Sequence, residues 1–385
     1  MKAIVLAGGY ATRLQPLSSR VPKLLLPVAG KPVVHHLAEM FKAAGVTEIV
    51  FSLNETQRAI ERELGSELMG MRLSYIFEGT RSEEEKLGAV GAIQYVAERT
   101  RIDSDCLVVG SDNFVHGLDL RRMVREHSER APYATIALFD LEDPRDVEHF
   151  GVALLDERRI TRFQEKPRQA EAVSKLASTA IYHVSPAFFE RIPFFVKEKK
   201  AAGLKADKPG DYWEHLVSAG EQIEGFVFNG AWGDIGNPET YVETNKRALA
   251  LPEFKAGRVS PSARVEAGAV VRGACVIDEG VVIESGAVVG PFVHLMAGCR
   301  VGAGACVESS ILFEGCVVEA KASVLDSVID RNCVLGESSS VEGYSLLGEE
   351  CVIGEGARVF GKSRVWPRME LDAKATLAGS VRTRS

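Results

Sequence analysis

The pattern that decides the fold of the last third of this chain is visible in the stretch Ile277-Asp278-Glu279-Gly280-Val281-Val282-Ile283-Glu284-Ser285-Gly286-Ala287-Val288-Val289. An aliphatic residue returns at every sixth position, and a small or medium-sized residue stands four positions after each of them. A period of six matches neither the 3.6 residues of a helical turn nor the two-residue alternation of a strand. Short strands joined by tight turns at a fixed interval instead form a solenoid, in which each coil buries its inner face against the next.

The repeat extends in both directions from this stretch. The predicted inward row contains every sixth residue from Val259 to Val307 and, after a slip of four residues, every sixth residue from Ile311 to Val365. A second row of smaller residues contains Ala263, Ala269, Cys275, Val281, Ala287, Val293, Cys299 and Ala305. Three faces of six residues would make a triangular prism. The pattern resembles the hexapeptide-repeat left-handed parallel β-helix, and its regularity argues against a β-sandwich with chance spacing.

The composition of residues 257–385 agrees with a narrow interior. This segment holds 17 of the 36 glycines, six of the seven cysteines and five of the 28 aromatic residues of the chain. The chain has no Cys-x-x-Cys pair, so neither a disulfide framework nor a zinc site is expected. The cysteines in the small-residue row are predicted to serve packing, and they are Cys275, Cys299, Cys333 and Cys351.

The formal net charge of −7 over 385 residues argues against a general nucleic-acid binder. No apolar run approaches the ~18 residues of a membrane span. The apolar start ends at Gly8-Gly9, which is too early for a signal peptide. We therefore expect a cytoplasmic protein with neither a nucleic-acid nor a membrane partner.

Upstream of the repeat, strand-like and helical segments alternate, which predicts an α/β fold with a doubly wound, mostly parallel sheet. Ligands bind such sheets at the carboxyl ends of the strands. The predicted domain boundary lies near residue 251, between a domain of residues 1–250 and a β-helix of residues 257–385. The predicted strands are 2–7, 48–53, 73–77, 106–109 and 226–228, and the predicted helices are 35–44, 55–64, 89–99 and 238–249.

The first strand ends in Leu6-Ala7-Gly8-Gly9-Tyr10-Ala11-Thr12-Arg13-Leu14. Glycines let backbone N–H groups surround a phosphate, and an arginine adds a planar cation. The loop lacks the Gly-x-Gly-x-x-Gly of dinucleotide-binding proteins, and Gly30-Lys31 lacks the surroundings of a P-loop. Taken alone, the glycine pair is as consistent with a tight turn as with a phosphate site.

Further motifs follow in order. They are Pro22-Lys23-Leu24-Leu25-Leu26-Pro27, Leu87-Gly88-Ala89-Val90-Gly91-Ala92, Gly110-Ser111-Asp112-Asn113, Phe150-Gly151-Val152, Phe163-Gln164-Glu165-Lys166-Pro167 and Trp232-Gly233-Asp234-Ile235-Gly236-Asn237-Pro238. With the glycine loop, they resemble the signature of the nucleotide-sugar pyrophosphorylases, also called sugar-1-phosphate nucleotidyltransferases, which opens with Leu-Ala-Gly-Gly-x-Gly-Thr-Arg-Leu. The solenoid further resembles that of the mannose-1-phosphate guanylyltransferases within this family.

The resemblance implies that an oxygen of a sugar-1-phosphate attacks the α-phosphorus of a nucleoside triphosphate and that pyrophosphate leaves. Because two polyanions must meet, cations and a divalent metal lower the barrier. Arg13 and Lys23 are the implied catalytic residues. Asp112 and Asp234, which follow the strand-like runs at 106–109 and 226–228, are the implied ligands of Mg²⁺.

The same resemblance assigns the binding residues. Without the neighbouring motifs, the charged residues of this set would be interpreted as ordinary exposed side chains or turn residues. The implied nucleotide-binding residues are Leu6, Gly8, Gly9, Ala11, Thr12, Glu78 and Gly88, and the implied sugar-phosphate-binding residues are Gly151, Glu165, Lys166 and Ser178.

Three positions bear on the choice of substrate. Ala11 stands where the family has a glycine and tolerates fewer backbone angles. Ser178 stands where the family has a sugar-contacting asparagine. Glu78 stands where pyrimidine-using members often carry glutamine, and its carboxylate suits the N1–H and N2–H₂ edge of guanine. The alternative for Glu78 is a solvent-facing side chain beside the acidic stretch 83–85.

Ala11 and Ser178 leave the sugar and the base open. Glu78 and the resemblance of the solenoid to that of mannose-1-phosphate guanylyltransferases favour GTP, so GTP with mannose-1-phosphate is the first choice of substrates. The alternative is dTTP or UTP with glucose-1-phosphate or N-acetylglucosamine-1-phosphate. A catalytically silent regulatory subunit is disfavoured, because it would not need the charged residues Arg13, Lys23, Asp112, Asp234 and Lys166 together.

The β-helix is expected to mediate homo-oligomerisation. An acyltransferase site in it is the alternative, but such a site needs a general base, and His294 is the only histidine after residue 257. The remaining histidines lack metal-binding spacing, so no transition-metal site is expected.

Overall fold

The computed structural model describes residues 1–382, and the chain divides into two compact units. The first unit contains Met1–Tyr10 and Val33–Trp232. The second contains Ala11–Pro32 and the chain from Gly233 onward, so the loop after the first strand packs with the β-helix. These units are defined by packing, and the predicted domains of residues 1–250 and 257–385 stay a prediction.

The helices and the first fourteen strands are numbered in chain order. The α-helices are α1 Val33–Ala43, α2 Arg58–Leu64, α3 Gly88–Arg99, α4 Leu120–Arg130, α5 Ala187–Ala201, α6 Pro209–Ser218 and α7 Pro238–Leu249. The strands are β1 Lys2–Leu6, β2 Pro27–Val28, β3 Lys31–Pro32, β4 Glu48–Leu53, β5 Glu67–Leu68, β6 Met71–Phe77, β7 Cys106–Gly110, β8 Asn113–His116, β9 Ala134–Asp140, β10 Gly151–Asp156, β11 Arg159–Glu165, β12 Leu176–Val184, β13 Ile223–Phe228 and β14 Ala231–Asp234.

Short 3-10 helices complete the connections, and they are Thr12–Leu14, Leu17–Ser19, Lys23–Leu25, Glu55–Gln57, Pro144–His149 and Gln169–Glu171. The helix predicted at 55–64 therefore begins as a 3-10 turn before α2. Among the described residues, no helix has both the length and the apolarity that a membrane crossing requires.

The first unit is built on one sheet with the order β10-β11-β13-β9-β12-β7-β1-β4-β6-β5. β7, β1, β4 and β6 are parallel, with Leu6 of β1 beside Gly110 of β7 and beside Ser52 of β4. Every residue of β4 is buried, including the polar Glu48 and Ser52, because a parallel strand inside the sheet is covered on both faces. The α/β fold predicted from the sequence is confirmed.

The other half of the sheet contains antiparallel strands. β12 lies between β7 and β9 and runs opposite to both. Its register shifts between Ser178 and Tyr182, where Ala180 has a φ of 54°. One prediction is corrected here. Asp234 does not follow the run at 226–228, which is the end of β13, but ends the separate short strand β14.

The β-helix lies in the second unit and consists of short parallel strands. They are β15 Arg258–Val259, β16 Arg264–Val265, β17 Val270–Val271, β18 Cys275–Ile277, β19 Val282–Ile283, β20 Val288–Val289, β21 Val293–Leu295, β22 Arg300–Val301, β23 Cys306–Glu308, β24 Ile311–Leu312, β25 Val317–Val318, β26 Ser323–Leu325, β27 Val328–Ile329, β28 Val334–Leu335, β29 Ser340–Val341, β30 Leu346–Leu347, β31 Val352–Ile353, β32 Arg358–Val365, β33 Glu370–Leu371 and β34 Thr376–Val381.

Three strands make one coil of the β-helix. From β15 to β29, each strand pairs in parallel with the third strand after it, as Arg258 beside Val276 and Val282 beside Arg300 show. Partners in the pairings from β15 to β20 are 18 residues apart, which is three faces of six. The solenoid and its period are confirmed.

The inward aliphatic row follows the prediction from Val271 to Val307 and again from Ile329. In the first coil, the predicted members Val259 and Val265 are 47% and 42% exposed, because no earlier coil covers them. Between Val307 and Ile329, the interior residues are Leu312, Val318 and Val324. The predicted members of this part, Ile311, Val317 and Ser323, are each one residue too early.

The physical reason is that two turns are each shortened by one residue, instead of the single slip of four that was predicted. Leu295 lies beside Leu312 and Val307 beside Val324, an offset of 17 residues. The shortened turns contain Ser309 and Asp326, which have φ angles of 48° and 45°.

The row of small residues is as predicted, and the cysteines lie mainly in it. All seven cysteines are free thiols. Cys299, Cys316, Cys333 and Cys351 each donate a hydrogen bond to a carbonyl of the following coil, at 3.0–3.1 Å. The thiols therefore pack the interior and satisfy carbonyl groups of the wall.

Residues 11–32 pack on α7 and on the β-helix within the second unit. The Tyr241 hydroxyl of α7 donates to the Pro27 carbonyl at 2.8 Å. The Arg364 guanidinium of β32 donates to the Gln15 carbonyl at 3.0 Å. The loop that carries the implied catalytic residues is thus positioned by these two elements.

An ion pair in the same unit joins Arg20 of this loop to Asp330, whose side chain is only 2% exposed. Arg20 Nε donates to Asp330 Oδ1 at 3.0 Å, and the guanidinium lies over the Phe313 ring. Burial raises the pKa of Asp330, and the hydrogen bonds and charge of Arg20 oppose that rise. Arg20 therefore stabilises a carboxylate that has little access to water.

We predict that Arg20→Met lowers the free energy of unfolding by about 3–5 kcal/mol, because Asp330 would remain buried without a cation. Urea denaturation of the full chain measures this change. Adding Asp330→Asn to Arg20→Met should restore most of the loss.

The matched control is Arg331→Met, which breaks the more exposed pair with Glu349. It should leave the free energy of unfolding almost unchanged, because water screens an exposed ion pair. Equal losses for the two arginine variants would show that the buried pair has no special weight.

Candidate active site

In the first unit, side chains from the end of β4 hold the glycine loop. The Asn54 side-chain amide donates to the Gly8 carbonyl at 3.0 Å, and the Gln57 amide donates to the Gly9 carbonyl at 3.1 Å. Asn54 and Gln57 also form a capping box on the 3-10 helix they begin and end. Sequence analysis missed both residues, and the available signal was their position directly after a predicted strand.

Glu78 lies against Gly8 at the same edge of the sheet. It is 7% exposed and therefore does not face solvent. The Ser52 hydroxyl donates to Glu78 Oε1 at 2.8 Å. A Cβ on Gly8 would come within 2.6 Å of the Glu78 carboxyl carbon, so a larger residue there would displace the carboxyl group. Burial raises the pKa of Glu78, and the bond from Ser52 opposes the rise.

In the second unit, the loop continues through Ala11, which has φ 48° and ψ 37°. This left-handed conformation costs a non-glycine residue roughly 1–2 kcal/mol and explains why the resembling family carries glycine here. The 3-10 helix that follows exposes Thr12 and Arg13. Lys23 is half-buried and begins the third 3-10 helix.

Asp112 follows β7 in the first unit, and its neighbour Asn113 holds the turn. The Asn113 amide donates to the Gly110 carbonyl at 3.2 Å and accepts from the Trp232 indole N–H at 2.9 Å. A Cβ on Gly110 would lie 3.1 Å from this amide and 3.3 Å from Asp112 Oδ1. Close packing around the turn therefore limits where the Asp112 carboxylate can lie.

Glu165 ends β11, and its side chain packs against Gly210 at the start of α6. Its backbone N–H donates to Glu214 Oε1 at 2.8 Å. Burial raises the pKa of Glu165, and the charges of Lys166 and Lys208 oppose the rise. Gly210, Glu214 and Lys208 were not predicted, because they lie far along the chain from the motif.

Three other predicted residues lie at tight places of the first unit. Gly88 begins α3 with a φ of 73°, and a Cβ there would lie 2.6 Å from the Asp207 Cα. Gly151 begins β10 beside Glu165, and a Cβ there would lie 2.7 Å from the Phe163 ring. Ser178 is half-buried at the register shift of β12.

Asp234 is positioned by the entry to α7. Its backbone carbonyl accepts a hydrogen bond from the Thr244 hydroxyl at 3.1 Å. A Cβ on Gly236 would lie 2.6 Å from Asp234 Oδ2. Asn237 and Thr240 form a capping box at the start of α7. This compact turn and the absence of a side chain at Gly236 make room for the carboxylate.

The predicted site residues thus fall into two sets, each held within its own unit. The first unit holds Leu6, Gly8, Gly9, Glu78, Gly88, Asp112, Gly151, Glu165, Lys166 and Ser178, and the second holds Ala11, Thr12, Arg13, Lys23 and Asp234. Four glycines and three acidic residues make up most of the first set. The second set contributes two of the three cations.

His294 is buried in the second unit and is no exposed base of the β-helix. Its Nε2 lies 2.9 Å from Asp278 Oδ2. Both residues line a groove of about 310 Å³ together with Arg20 and Phe313. The bond from His294 and the charge of Arg258 lower the pKa of Asp278, although burial, the largest single influence, works in the opposite direction.

The comparison with known proteins begins with families. The profile described as nucleotidyl transferase matches residues 2–250, which is more than half of the chain. This chain belongs to the nucleotidyl transferase family. The GMPPB C-terminal domain matches residues 259–379, which cover the β-helix. The family resemblance read from the motifs is confirmed.

Individual relatives of this nucleotidyl transferase span most of its length. The glucose-1-phosphate thymidylyltransferase of Streptomyces antibioticus is 31% identical over 81% of this chain and 87% of its own. The mannose-1-phosphate guanylyltransferase of Mycobacterium tuberculosis is 28% identical over 80% of this chain and 82% of its own. The structure of UDP-glucose pyrophosphorylase complexed with UDP-glucose has a TM-score of 0.54 over 63% of this chain and 96% of its own, at 22% identity, which shows the fold.

Nucleotidyl transferases of this family use a divalent metal ion. The carboxylates of Asp112 and Asp234 fit such an ion by their chemistry, since Mg²⁺ and similar hard cations prefer oxygen ligands. Each is half-buried and held in a packed turn.

We predict that Gly8→Ala lowers the free energy of unfolding by about 1–3 kcal/mol, because the added methyl group overlaps the buried Glu78 carboxyl. Chemical denaturation measures it. Gly9→Ala is the matched control, because a Cβ there meets nothing within 4 Å. If Gly9→Ala destabilised the chain as much as Gly8→Ala, the close contact with Glu78 would not be the cause.

We predict that Ala11→Gly raises the free energy of unfolding by up to about 1 kcal/mol, because glycine relieves the left-handed strain. Ala250→Gly is its control, since Ala250 has a φ of −75° and gains no such relief. The control should lower stability by about 0.5–1 kcal/mol. A loss in both variants would show that Ala11 is not strained.

Proposed function

We propose that this nucleotidyl transferase transfers GMP from GTP to mannose-1-phosphate, with release of pyrophosphate. The observation that carries this choice is the burial of Glu78 against the glycine loop. The similarity to a mannose-1-phosphate guanylyltransferase supports it. The second candidate is dTTP or UTP with glucose-1-phosphate or N-acetylglucosamine-1-phosphate. Among these, the similarity to a glucose-1-phosphate thymidylyltransferase favours dTTP with glucose-1-phosphate.

The choice of base follows from hydrogen-bond chemistry. Guanine offers two adjacent donors, N1–H and N2–H₂, and an ionised carboxylate accepts both. Uracil and thymine offer one N–H between two carbonyl oxygens, which a carboxylate repels. Glu78 is already partly desolvated, so two donors from guanine would stabilise its charged form against the effect of burial.

The proposed chemistry relies on positive charge around the phosphates. Arg13 would bind the outer phosphates of the triphosphate, and Lys23 would stabilise charge at the α-phosphate during the attack. Asp112 and Asp234 would hold Mg²⁺. When bound, Mg²⁺ supplies further neutralisation of the phosphate oxygens.

The sugar-1-phosphate would be held by residues of the first unit. Lys166, which is exposed, would bind its phosphate, and Glu165 would accept hydrogen bonds from sugar hydroxyls. Ser178 has a shorter reach than the asparagine that the family carries there, so it would contact the sugar over a shorter distance or through water. Gly151 would let the backbone approach the sugar.

We further propose that residues 1–250 carry the chemistry and that residues 257–385 mediate association of identical chains. The cytoplasmic location stays a prediction from the sequence.

We predict pyrophosphate release that is fastest with GTP and mannose-1-phosphate in an assay of five nucleoside triphosphates against a panel of sugar-1-phosphates. Asp112→Ala should abolish release. No release with any pair would contradict the proposed activity and favour a catalytically silent regulatory subunit. Turnover of acetyl-CoA would indicate an acyltransferase site in the β-helix.

We predict that Glu78→Gln weakens the preference for GTP over UTP by about 10-fold or more, since one good pair of hydrogen bonds contributes about 1–3 kcal/mol of discrimination between bases. The ratio of kcat/KM for the two nucleotides measures this. The matched control is Glu83→Gln, which changes the same charge at a partly exposed position in the acidic stretch, where Glu83 pairs with Lys86. An unchanged ratio in Glu78→Gln would remove Glu78 from base recognition.

A further inference from the structure

The first unit gathers two histidines and an aspartate at a place that the nucleotidyl transfer does not use. Asp105 directly precedes β7, His127 lies in α4, and His183 lies in β12. One ligand atom from each of the three residues lies within 4.8 Å of the others. The chain segments between them are long, and for that reason sequence spacing predicted no transition-metal site.

This cluster lies far from the candidate active site along the sheet. Asp105 stands before the first residue of β7, whereas Asp112 follows its last residue. The five residues of β7 lie between them and span roughly 16 Å. The cluster is therefore at the amino end of β7, and nucleotide chemistry is expected at the carboxyl end.

His183 is buried with both of its ring nitrogens unpaired among the described residues. Only 1% of the residue is exposed. Burying a polar group without a partner is costly, so most such groups have one. The His127 and His183 rings lie 4.0 Å apart between centroids.

His127 is oriented for the same role. Its Nδ1 lies 2.8 Å from the Thr135 hydroxyl, and its Nε2 lies 3.6 Å from Asp105 Oδ2. A ligating histidine commonly donates its second ring N–H to a neighbouring oxygen, which fixes the ring and the tautomer. With Nδ1–H donated to Thr135, the Nε2 lone pair faces the cluster.

The protonation states agree with this geometry. Burial lowers the pKa of His127 and lowers that of His183 to about 3, and the charge of each neighbour modifies these shifts only secondarily. Both imidazoles are therefore neutral near pH 7, which is the form that binds a metal.

We propose that Asp105, His127 and His183 form a binding site for a divalent transition metal of the Zn²⁺ class. Two imidazoles and one carboxylate are a ligand set of such ions, with further positions for water. Asp105, whose side chain is 38% exposed, is the route by which solvent and the ion reach the two buried rings. The bound ion would tie α4 to β7 and β12 and so stabilise the first unit.

The test titrates the metal-stripped full chain with Co²⁺ and with Zn²⁺ in excess Mg²⁺, which occupies magnesium sites. Visible absorption of Co²⁺ and calorimetry of Zn²⁺ are the readouts. We expect one tightly bound ion per chain, with ligand-field bands of nitrogen and oxygen coordination and without a thiolate charge-transfer band. Zn²⁺ should also raise the temperature of unfolding of the chain.

Two variants locate the ion. Asp105→Asn removes the carboxylate ligand at a partly exposed position, and Thr135→Val removes the hydroxyl that orients His127. Each should weaken binding by about 10–100-fold. Asp103→Asn is the matched control, because Asp103 carries the same charge on the same connection and pairs with Arg101. It should leave the affinity unchanged.

Three outcomes would overturn the proposal. The first is no binding of Co²⁺ or Zn²⁺ beyond the magnesium sites, which would leave a buried neutral imidazole pair. The second is a thiolate band, which would place the ion on a cysteine. The third is an affinity that neither Asp105→Asn nor Thr135→Val changes. Since the readouts are metal binding and unfolding, none of them depends on the proposed sugar and base.

Discussion

A buried carboxylate organises the second unit. Asp330 lies in the wall of the β-helix with almost no access to water, and Arg20 supplies the cation beside it. Removing one member of such a pair is strongly destabilising, because the other charge then stays buried without a partner. Because Arg20 lies between Arg13 and Lys23 in sequence, the requirement of Asp330 also settles where the loop with the implied catalytic cations is held. The β-helix therefore helps to position the loop with Arg13 and Lys23, in addition to its proposed role in the association of identical chains.

The first unit follows a different logic, in which strand ends and close packing determine the site. Parallel β1, β4 and β7 bring their carboxyl ends to one edge, and side chains from one strand end hold the loop of the next. Gly8 and Glu78 illustrate the consequence. The Glu78 carboxyl packs on Gly8 so closely that a side chain at this position would displace it, and the same contact keeps the carboxylate from solvent. With the proposed role of Glu78, base recognition and loop geometry would be coupled.

The sequence allowed the fold class, the repeat period and the motif residues to be predicted, because each depends on local patterns. Apolar runs mark buried parallel strands, a period of six marks a prism, and glycines with charged residues mark loops that approach phosphates. Prediction was less accurate where a single residue changes a turn. The β-helix omits one residue at Ser309 and again at Asp326, and the aliphatic pattern alone suggested one larger slip, since Ile311 and Val317 are aliphatic as well.

By itself, the sequence determined that this chain is a nucleotidyl transferase with a β-helix, because those conclusions rest on order and spacing along the chain. Only the tertiary structure decided which residues support the site and which distant residues meet. Asn54, Gln57 and Glu214 hold the loops, Arg20 finds Asp330, and Asp105 lies beside His127 and His183. The physical reason is that these contacts join segments far apart in sequence, and their geometry depends on strand order and packing, which no local pattern records.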